Sequence, residues 1–93
     1  VRETWYYMEG MKHLDGPIVD GKRNGVFETY YKSGALMSKG TFVDGIREGE
    51  AFTYYENGNV KYQGSYVNGK ECGIWKFYEE NGELDKEVNR DLR

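Results

Sequence analysis

The sequence predicts an all-β fold, a single-layer antiparallel meander of stacked β-hairpins that is twisted and elongated. Two observations support this prediction. The chain repeats itself every 24 residues, and all 13 of its glycines fall in four columns of that repeat. Between the glycines, apolar and polar residues alternate with period two, which is typical of strands that bury one face. The columns are Gly10, Gly34, Gly58 and Gly82; Gly16, Gly40 and Gly64; Gly21, Gly45 and Gly69; and Gly25, Gly49 and Gly73.

One domain over residues 1–93 is expected to hold three repeat units and a partial fourth. The units span about residues 6–29, 30–53, 54–77 and 78–93. Two tyrosine columns follow the same spacing, namely Tyr6, Tyr30, Tyr54 and Tyr78, and beside them Tyr7, Tyr31 and Tyr55.

Each unit is predicted to contain two strands and two turns. One set of turns is expected at Asp20-Gly21, Asp44-Gly45 and Asn68-Gly69, because these residue types tolerate a positive φ. The other set is expected at Glu9-Gly10, Ser33-Gly34, Asn57-Gly58 and Asn81-Gly82. Seven or eight strands follow, and at about 4.8 Å per strand the sheet would be roughly 35 Å long.

A further glycine column is predicted to lie inside the strands. Gly16, Gly40 and Gly64 are expected beside Thr29, Thr53 and Phe77 on the neighbouring strand. A large side chain can cover the bare backbone of such a glycine.

The end of the chain departs from the repeat. Val88 stands in a glycine column, and Arg90 stands where an aromatic residue is expected. The spacing of Leu84, Val88 and Leu92 predicts a short C-terminal helical cap. A continuing strand with Leu84 and Val88 directed inward is the open alternative.

Composition excludes several functional classes. The net charge is −3, and the 13 Lys and Arg residues are dispersed, so no basic stripe for nucleic acid is expected. A single cysteine and a single histidine predict neither a disulfide nor a usual zinc site, and no cofactor or metal is expected. The longest apolar run, at residues 5–8, is too short to span a bilayer.

The chain begins at Val1 without an apolar targeting segment, which predicts a trimmed chain, an excised domain or a matured protein. The compartment therefore stays open between the cytoplasm, which the sequence favours, and export of a mature protein.

No catalytic constellation is predicted, and we expect the protein not to be an enzyme. The G-x-x-x-x-G-K strings at residues 16–22 and 64–70 lack the Ser or Thr that a phosphate-binding loop needs, and they repeat as hairpin geometry. The His13 side chain is expected on the more polar face of the sheet, opposite to the face that carries Leu14. Cys72 is expected in a turn. The carboxylates are expected in solvated turns or on alternating strand positions.

One aromatic-rich sheet face is the candidate partner-binding surface. An apolar sheet face ordinarily requires a second layer, and no segment is long enough to supply one. Tyr and Trp also dominate the energetics of protein interfaces. The alternative is that this face is simply the core of the sheet. The candidate binding residues are Trp5, Tyr7, Phe27, Tyr31, Phe42, Tyr55, Tyr62, Tyr66, Trp75 and Phe77. Ile18 and Leu36 are placed on the same face, and the column that starts at Tyr6 is placed on the opposite one.

Residues 54–75 read YYENGNVKYQGSYVNGKECGIW, with the pattern Y-Y-x-N-G-x-h-x-x-x-G-x-Y-x-x-G-K-x-x-G-x-W. This pattern, which extends over residues 5–85, resembles the bacterial variant of the MORN (membrane occupation and recognition nexus) repeat. The resemblance implies a twisted single-layer sheet of stacked hairpins. Bacterial variants of this kind are grouped as YwqK-type antitoxins, so the resemblance also implies an antitoxin or immunity protein that occludes a toxin.

Three other functions remain open at this point. One is a scaffold or adaptor domain of a larger protein, as some MORN proteins are. Peripheral membrane binding is less favoured, because acidic residues interleave with the Lys and Arg residues that anionic lipid would require. The third is self-association, since an exposed face or edge strand can pair with its own copy.

Overall fold

The structure, a computed structural model, describes residues 1–8 and 10–91. These residues form nine antiparallel β-strands in one open sheet, so the predicted all-β hairpin meander is confirmed. The strands are β1 (Arg2–Tyr6), β2 (Lys12–Val19), β3 (Lys22–Arg23), β4 (Gly25–Tyr30), β5 (Leu36–Val43), β6 (Ile46–Tyr54), β7 (Val60–Val67), β8 (Lys70–Tyr78) and β9 (Leu84–Asn89).

The order of the strands in the sheet follows their order in the chain. It runs β1-β2-β4-β5-β6-β7-β8-β9, and β3 pairs with β2 beside β4. β3 and β4 are two pieces of one strand, interrupted at Asn24, which is why nine strands appear where seven or eight are predicted. The principal dimensions of the chain are 37 × 31 × 14 Å, and the shortest of them is consistent with a single twisted sheet.

The Asp-Gly and Asn-Gly pairs form the two-residue turns that the sequence predicts. Asn68 has a φ of 51° and Gly69 a φ of 80°, the left-handed pair that a type I′ turn requires, and the other two pairs have similar angles. In the second set of turns, the amide of Gly58 donates to the carbonyl of Tyr55 at 2.9 Å. The same bond recurs in each turn of this set. Glu9, part of the predicted Glu9-Gly10 turn, lies outside the described residues.

A β-bulge interrupts the alternation beside each turn of the second set, in the strand that follows the turn. The register shifts between Thr29 and Tyr30 in the pairing of β4 with β5, and Tyr30 then lies directly opposite Leu36. Cross-strand partners share a face, so Leu36 lies on the same face as Tyr30. Strict alternation predicts instead that Leu36 lies on the aromatic-rich face. The prediction for Leu36 is wrong because one extra residue in the bulge reverses the side on which it projects.

The predicted neighbours of the in-strand glycines are wrong by two residues. Phe27 covers Gly16, and Trp75 covers Gly64. Gly40 pairs with Ala51, so the third site holds a small side chain in place of a ring. The core consists of these three covering residues: Phe27, Ala51 and Trp75 are 4%, 7% and 2% exposed.

The helical cap predicted at the end of the chain is wrong for the described residues. Leu84–Asn89 forms β9, which pairs with β8 and places Val88 opposite Trp75. A strand satisfies the backbone groups along the edge of β8, which a helix would leave without partners. Leu84 is about half exposed. Leu92 lies outside the described residues.

Candidate functional site: an aromatic sheet face

One face of the sheet, called here the aromatic face, carries two groups of rings, one of Phe27 and Phe42 and one of Tyr62, Tyr66, Trp75 and Phe77. Phe27 and Phe42 meet edge to face, with ring centroids 5.4 Å apart. Tyr66 meets Trp75 in the same way at 5.3 Å, and Tyr62 lies 5.7 Å from Phe77. Aromatic contacts of this kind stabilise the sheet beyond the area they bury.

The six rings of the aromatic face differ in exposure. Phe27 and Trp75 are buried against the glycine backbone. The other four rings are half-buried and form the accessible surface of the face. They belong to Phe42, Tyr62, Tyr66 and Phe77.

Three of the predicted binding tyrosines form a ladder along the sheet. The Tyr7 hydroxyl donates to the carbonyl of Tyr30 at 2.8 Å, Tyr31 to Tyr54 at 2.6 Å, and Tyr55 to Tyr78 at 2.7 Å. Each bond joins residues 23 positions apart, so the ladder ties each repeat to the next. Burial also raises the pKa of Tyr31. These side chains are half-buried, and their hydroxyls are engaged within the sheet.

Trp5 lies apart from the other rings, on the edge strand β1. It is 59% exposed, and its indole nitrogen donates to a carboxylate oxygen of Glu3 at 2.7 Å. Among the ten candidate binding residues it is the most exposed ring.

Arginine side chains that the sequence analysis did not single out stack between the rings. The guanidinium carbon of Arg23 lies 4.8 Å from the Phe27 centroid and 5.5 Å from that of Phe42. Arg47 lies 5.5 Å from the Phe42 centroid and 5.0 Å from that of Tyr66. The two arginines are 24 residues apart, so the repeat spacing was a signal that could have identified them.

The sequence model of a protein family described as MORN repeat variant matches three segments of the chain, residues 23–44, 47–68 and 71–91. The chain belongs to the MORN repeat variant family. The three matched segments begin 24 residues apart, which agrees with the period of the glycine columns. No curated protein and no solved structure matches the chain. MORN repeats are modules of protein or membrane interaction, and the antitoxin part of the resemblance stays a prediction.

The opposite side of this MORN sheet, called here the second face, carries aromatic, charged and aliphatic side chains. Phe52 and Tyr54 stack there with centroids 6.3 Å apart, and Lys39 lies 5.7 Å from the Phe52 centroid. The Tyr30 hydroxyl donates to Glu28 at 3.2 Å. By strand alternation this face also carries about half-exposed aliphatic side chains near the type I′ turns: Val19, Val26, Val43, Ile46, Val67 and Ile74.

The most buried charge of the MORN sheet, Asp15, is held in an ion-pair cluster. Arg2 donates two hydrogen bonds to its carboxylate, both at 3.1 Å, and Thr4 and Lys12 donate at 3.0 and 3.2 Å. The bonds from Arg2, supported by Thr4 and Lys12, hold the pKa of Asp15 well below its usual range. The cluster joins β1 to β2.

A second ion pair supports the aromatic face. Arg23 donates to the two carboxylate oxygens of Glu3 at 2.8 and 3.0 Å. This pairing, with the bond from Trp5, lowers the pKa of Glu3. Both clusters are satisfied ion pairs that fix strand β1 to the rest of the sheet.

His13 and Cys72 have structural surroundings in the MORN sheet. His13 was predicted on a polar face, but the bulge in β2 places its ring 4.6 Å from that of Tyr7, in a stacked arrangement. The carbonyl of Cys72 accepts a hydrogen bond from the Trp75 indole at 3.1 Å.

Among the described residues, no three His, Cys, Asp or Glu side chains are placed to hold a metal ion together. The same part of the chain contains no helix that could cross a membrane.

Proposed function

We propose that this MORN chain is a non-catalytic protein-binding module that holds its partner on the aromatic face. The observation that supports this is the partial exposure of Phe42, Tyr62, Tyr66 and Phe77 on a sheet one layer thick. All nine strands of the described residues lie in that one sheet, and no second layer formed by those residues covers the rings of this face. An accessible aromatic surface of this kind is typical of an interaction surface.

The candidate residues divide into contacts and supports in this proposal. The four half-buried rings and Trp5 would contact the partner. Phe27 and Trp75 hold the four rings in place from below, and Tyr7, Tyr31 and Tyr55 fix one repeat to the next. Rigid aromatic side chains that are already ordered before binding lose little conformational entropy when a partner docks.

The finer proposal is that the partner is a toxin domain and that the chain is its antitoxin or immunity protein. Binding would act by occlusion, with the sheet covering the active site of the toxin or the approach of its substrate. The support is the resemblance of residues 54–75 to bacterial repeats of that group. The net charge of −3 would also favour encounter with a basic toxin such as a nuclease.

A matched pair of phenylalanines allows the two faces to be compared. Phe77 on the aromatic face and Phe52 on the second face are both half-buried, and each contacts one tyrosine ring and one lysine. The wild-type chain, Phe77→Ala and Phe52→Ala would serve as baits in extracts of the source cells. Circular dichroism would show that each bait is folded.

We expect one stoichiometric partner that binds the wild type and Phe52→Ala and is lost with Phe77→Ala. Loss with Phe52→Ala alone would contradict the choice of face, and recovery of only the bait's own copies would show a self-assembling scaffold. For the finer proposal, the captured partner is expressed alone and together with the chain. Growth arrest that co-expression relieves would support an antitoxin, and an innocuous partner would contradict it.

A further inference from the structure

Arg47 lies in the middle of the aromatic face without an acidic partner. The same column of the repeat holds Arg23 one unit earlier and Glu71 one unit later. Arg23 pairs with Glu3, and Glu71 pairs with Arg90. None of the ion pairs found among the described residues includes Arg47. Of the three positions in this column, only that of Arg47 is therefore unpaired within the described part of the chain.

The missing partner has a sequence cause. Glu3, which pairs with Arg23, comes from the strand on the far side of β2. The equivalent position for Arg47, 24 residues after Glu3, is Phe27, which is buried and uncharged. The repeat therefore keeps the arginine in its second unit but replaces the carboxylate.

The guanidinium of Arg47 is nevertheless held in place. It lies between the rings of Phe42 and Tyr66, and one of its terminal nitrogens lies near the position that a Cβ on Gly40 would take. Within residues 1–8 and 10–91, no buried side-chain nitrogen lacks a hydrogen-bond partner. Because Arg47 makes no side-chain hydrogen bond there, its unpaired N–H groups must contact solvent.

We propose that Arg47 is a carboxylate-binding residue that takes an Asp or Glu side chain of the protein partner. The inference rests on the proposed function and specifies the chemistry at the centre of its binding face. An ordered arginine surrounded by rings is a typical interface hot spot, since the rings exclude water from the charged pair. Its flat fork of donors matches the two oxygens of a carboxylate.

The chain itself contains an example of the proposed contact. Arg23, in the same column and also between two rings, binds the Glu3 carboxylate through its Nε and one terminal nitrogen. A partner carboxylate approaching Arg47 would repeat this geometry one unit further along the sheet.

Two lysines near the aromatic face fit this role less well. Lys61 lies 5.6 Å from the Tyr55 centroid and Lys86 lies 5.3 Å from that of Phe77, so each contacts a single ring. An ammonium group also lacks the planar fork that orients a carboxylate. Lys61 therefore provides a control position on which a general effect of positive charge can be measured.

The test uses two blocked peptides that differ only in charge, N-acetyl-Phe-Glu-Phe-amide and N-acetyl-Phe-Gln-Phe-amide, and inorganic phosphate as a third probe. Each is titrated into the ¹⁵N-labelled full chain while the arginine Nε–H signals are followed by NMR. The Arg23 signal serves as an internal control because that side chain is already paired. Arg47→Gln and Lys61→Gln are titrated in the same way.

We expect the Glu peptide to bind about fivefold more tightly than the Gln peptide and to shift the Arg47 signal. The preference should disappear in Arg47→Gln and persist in Lys61→Gln. Equal binding of the two peptides, or an unmoved Arg47 signal, would overturn the inference and leave the protein-binding proposal intact. Phosphate binding at Arg47 as tightly as the Glu peptide would also overturn it. If Arg47 prefers the Glu peptide as expected but the bait experiment recovers no partner that depends on the aromatic face, the proposed function is refuted and the inference about Arg47 stands.

Discussion

The indole ring of Trp75 lies directly over the backbone of Gly64 on the neighbouring strand, in the space that a side chain at position 64 would need. Phe27 and Gly16 have the same relationship two hairpins earlier. Gly40 occupies the same column, but it faces Ala51 and the end of Arg47 at ordinary contact distances. The glycine column is therefore required sterically at two of these three positions.

This difference predicts that a glycine-to-alanine substitution destabilises the chain at position 64 but not at position 40. Gly64→Ala should destabilise the chain by about 1–3 kcal/mol, because the added methyl group overlaps the Trp75 ring. Gly40→Ala should change the free energy of unfolding by no more than about 0.5 kcal/mol. Urea denaturation of both variants checks the prediction. Equal destabilisation at both positions would show that the glycine column serves backbone conformation and not ring packing.

The tyrosine ladder predicts a measurable contribution from a single hydroxyl group. Tyr55→Phe keeps the ring and removes the bond to the Tyr78 carbonyl, so we expect a loss of about 1 kcal/mol in unfolding free energy. Its neighbour Tyr54 makes no such bond among the described residues, and Tyr54→Phe should cost less than about 0.5 kcal/mol. If the two variants are equally stable, the hydroxyl ladder does not hold the repeats together.

The Asp15 cluster predicts part of the acid sensitivity of the fold. Because Arg2 lowers the pKa of Asp15 in the folded chain, the carboxylate stays charged there after the unfolded chain begins to protonate, at about pH 4. This stabilisation is complete above about pH 4 and is lost as the pH falls through the folded pKa.

The measurement is the free energy of unfolding of Asp15→Asn between about pH 6 and pH 2. Its fall with acid should be shallower than that of the wild type. Asp20→Asn, an exposed turn position where Asn also tolerates a positive φ, should retain the wild-type slope. A wild-type slope in Asp15→Asn would show that other carboxylates control the acid transition.

The sequence was sufficient to predict the repeat, the hairpin turns and most of the aromatic face, because these depend on local spacing. The register of the strands was not predictable in the same way. A bulge adds one residue to a strand, which moved Leu36 to the second face and brought His13 onto Tyr7. The helical cap was wrong because pairing with the edge of β8 outweighs the local four-residue spacing.

Within the candidate site, the sequence identified ring-bearing residues but not their different roles. Burial of Phe27 and Trp75 depends on which residue of the neighbouring strand lies over each glycine. That residue is set by the register of the strands, which the bulges shift. Arg23 and Arg47 were overlooked because charged residues at strand ends are usually solvated. Their stacking between rings appears only when three adjacent strands are placed side by side.

Binding through the aromatic face is tested most directly by hydroxyl-radical footprinting of the chain alone and in complex with its captured partner. We predict that oxidation of Phe42, Tyr62, Tyr66 and Phe77 falls in the complex, while oxidation of Phe52 and Tyr54 on the second face stays at the level of the free chain. Protection of Phe52 and Tyr54, with unchanged oxidation of the aromatic face, would contradict the claim that this MORN sheet binds through its aromatic face.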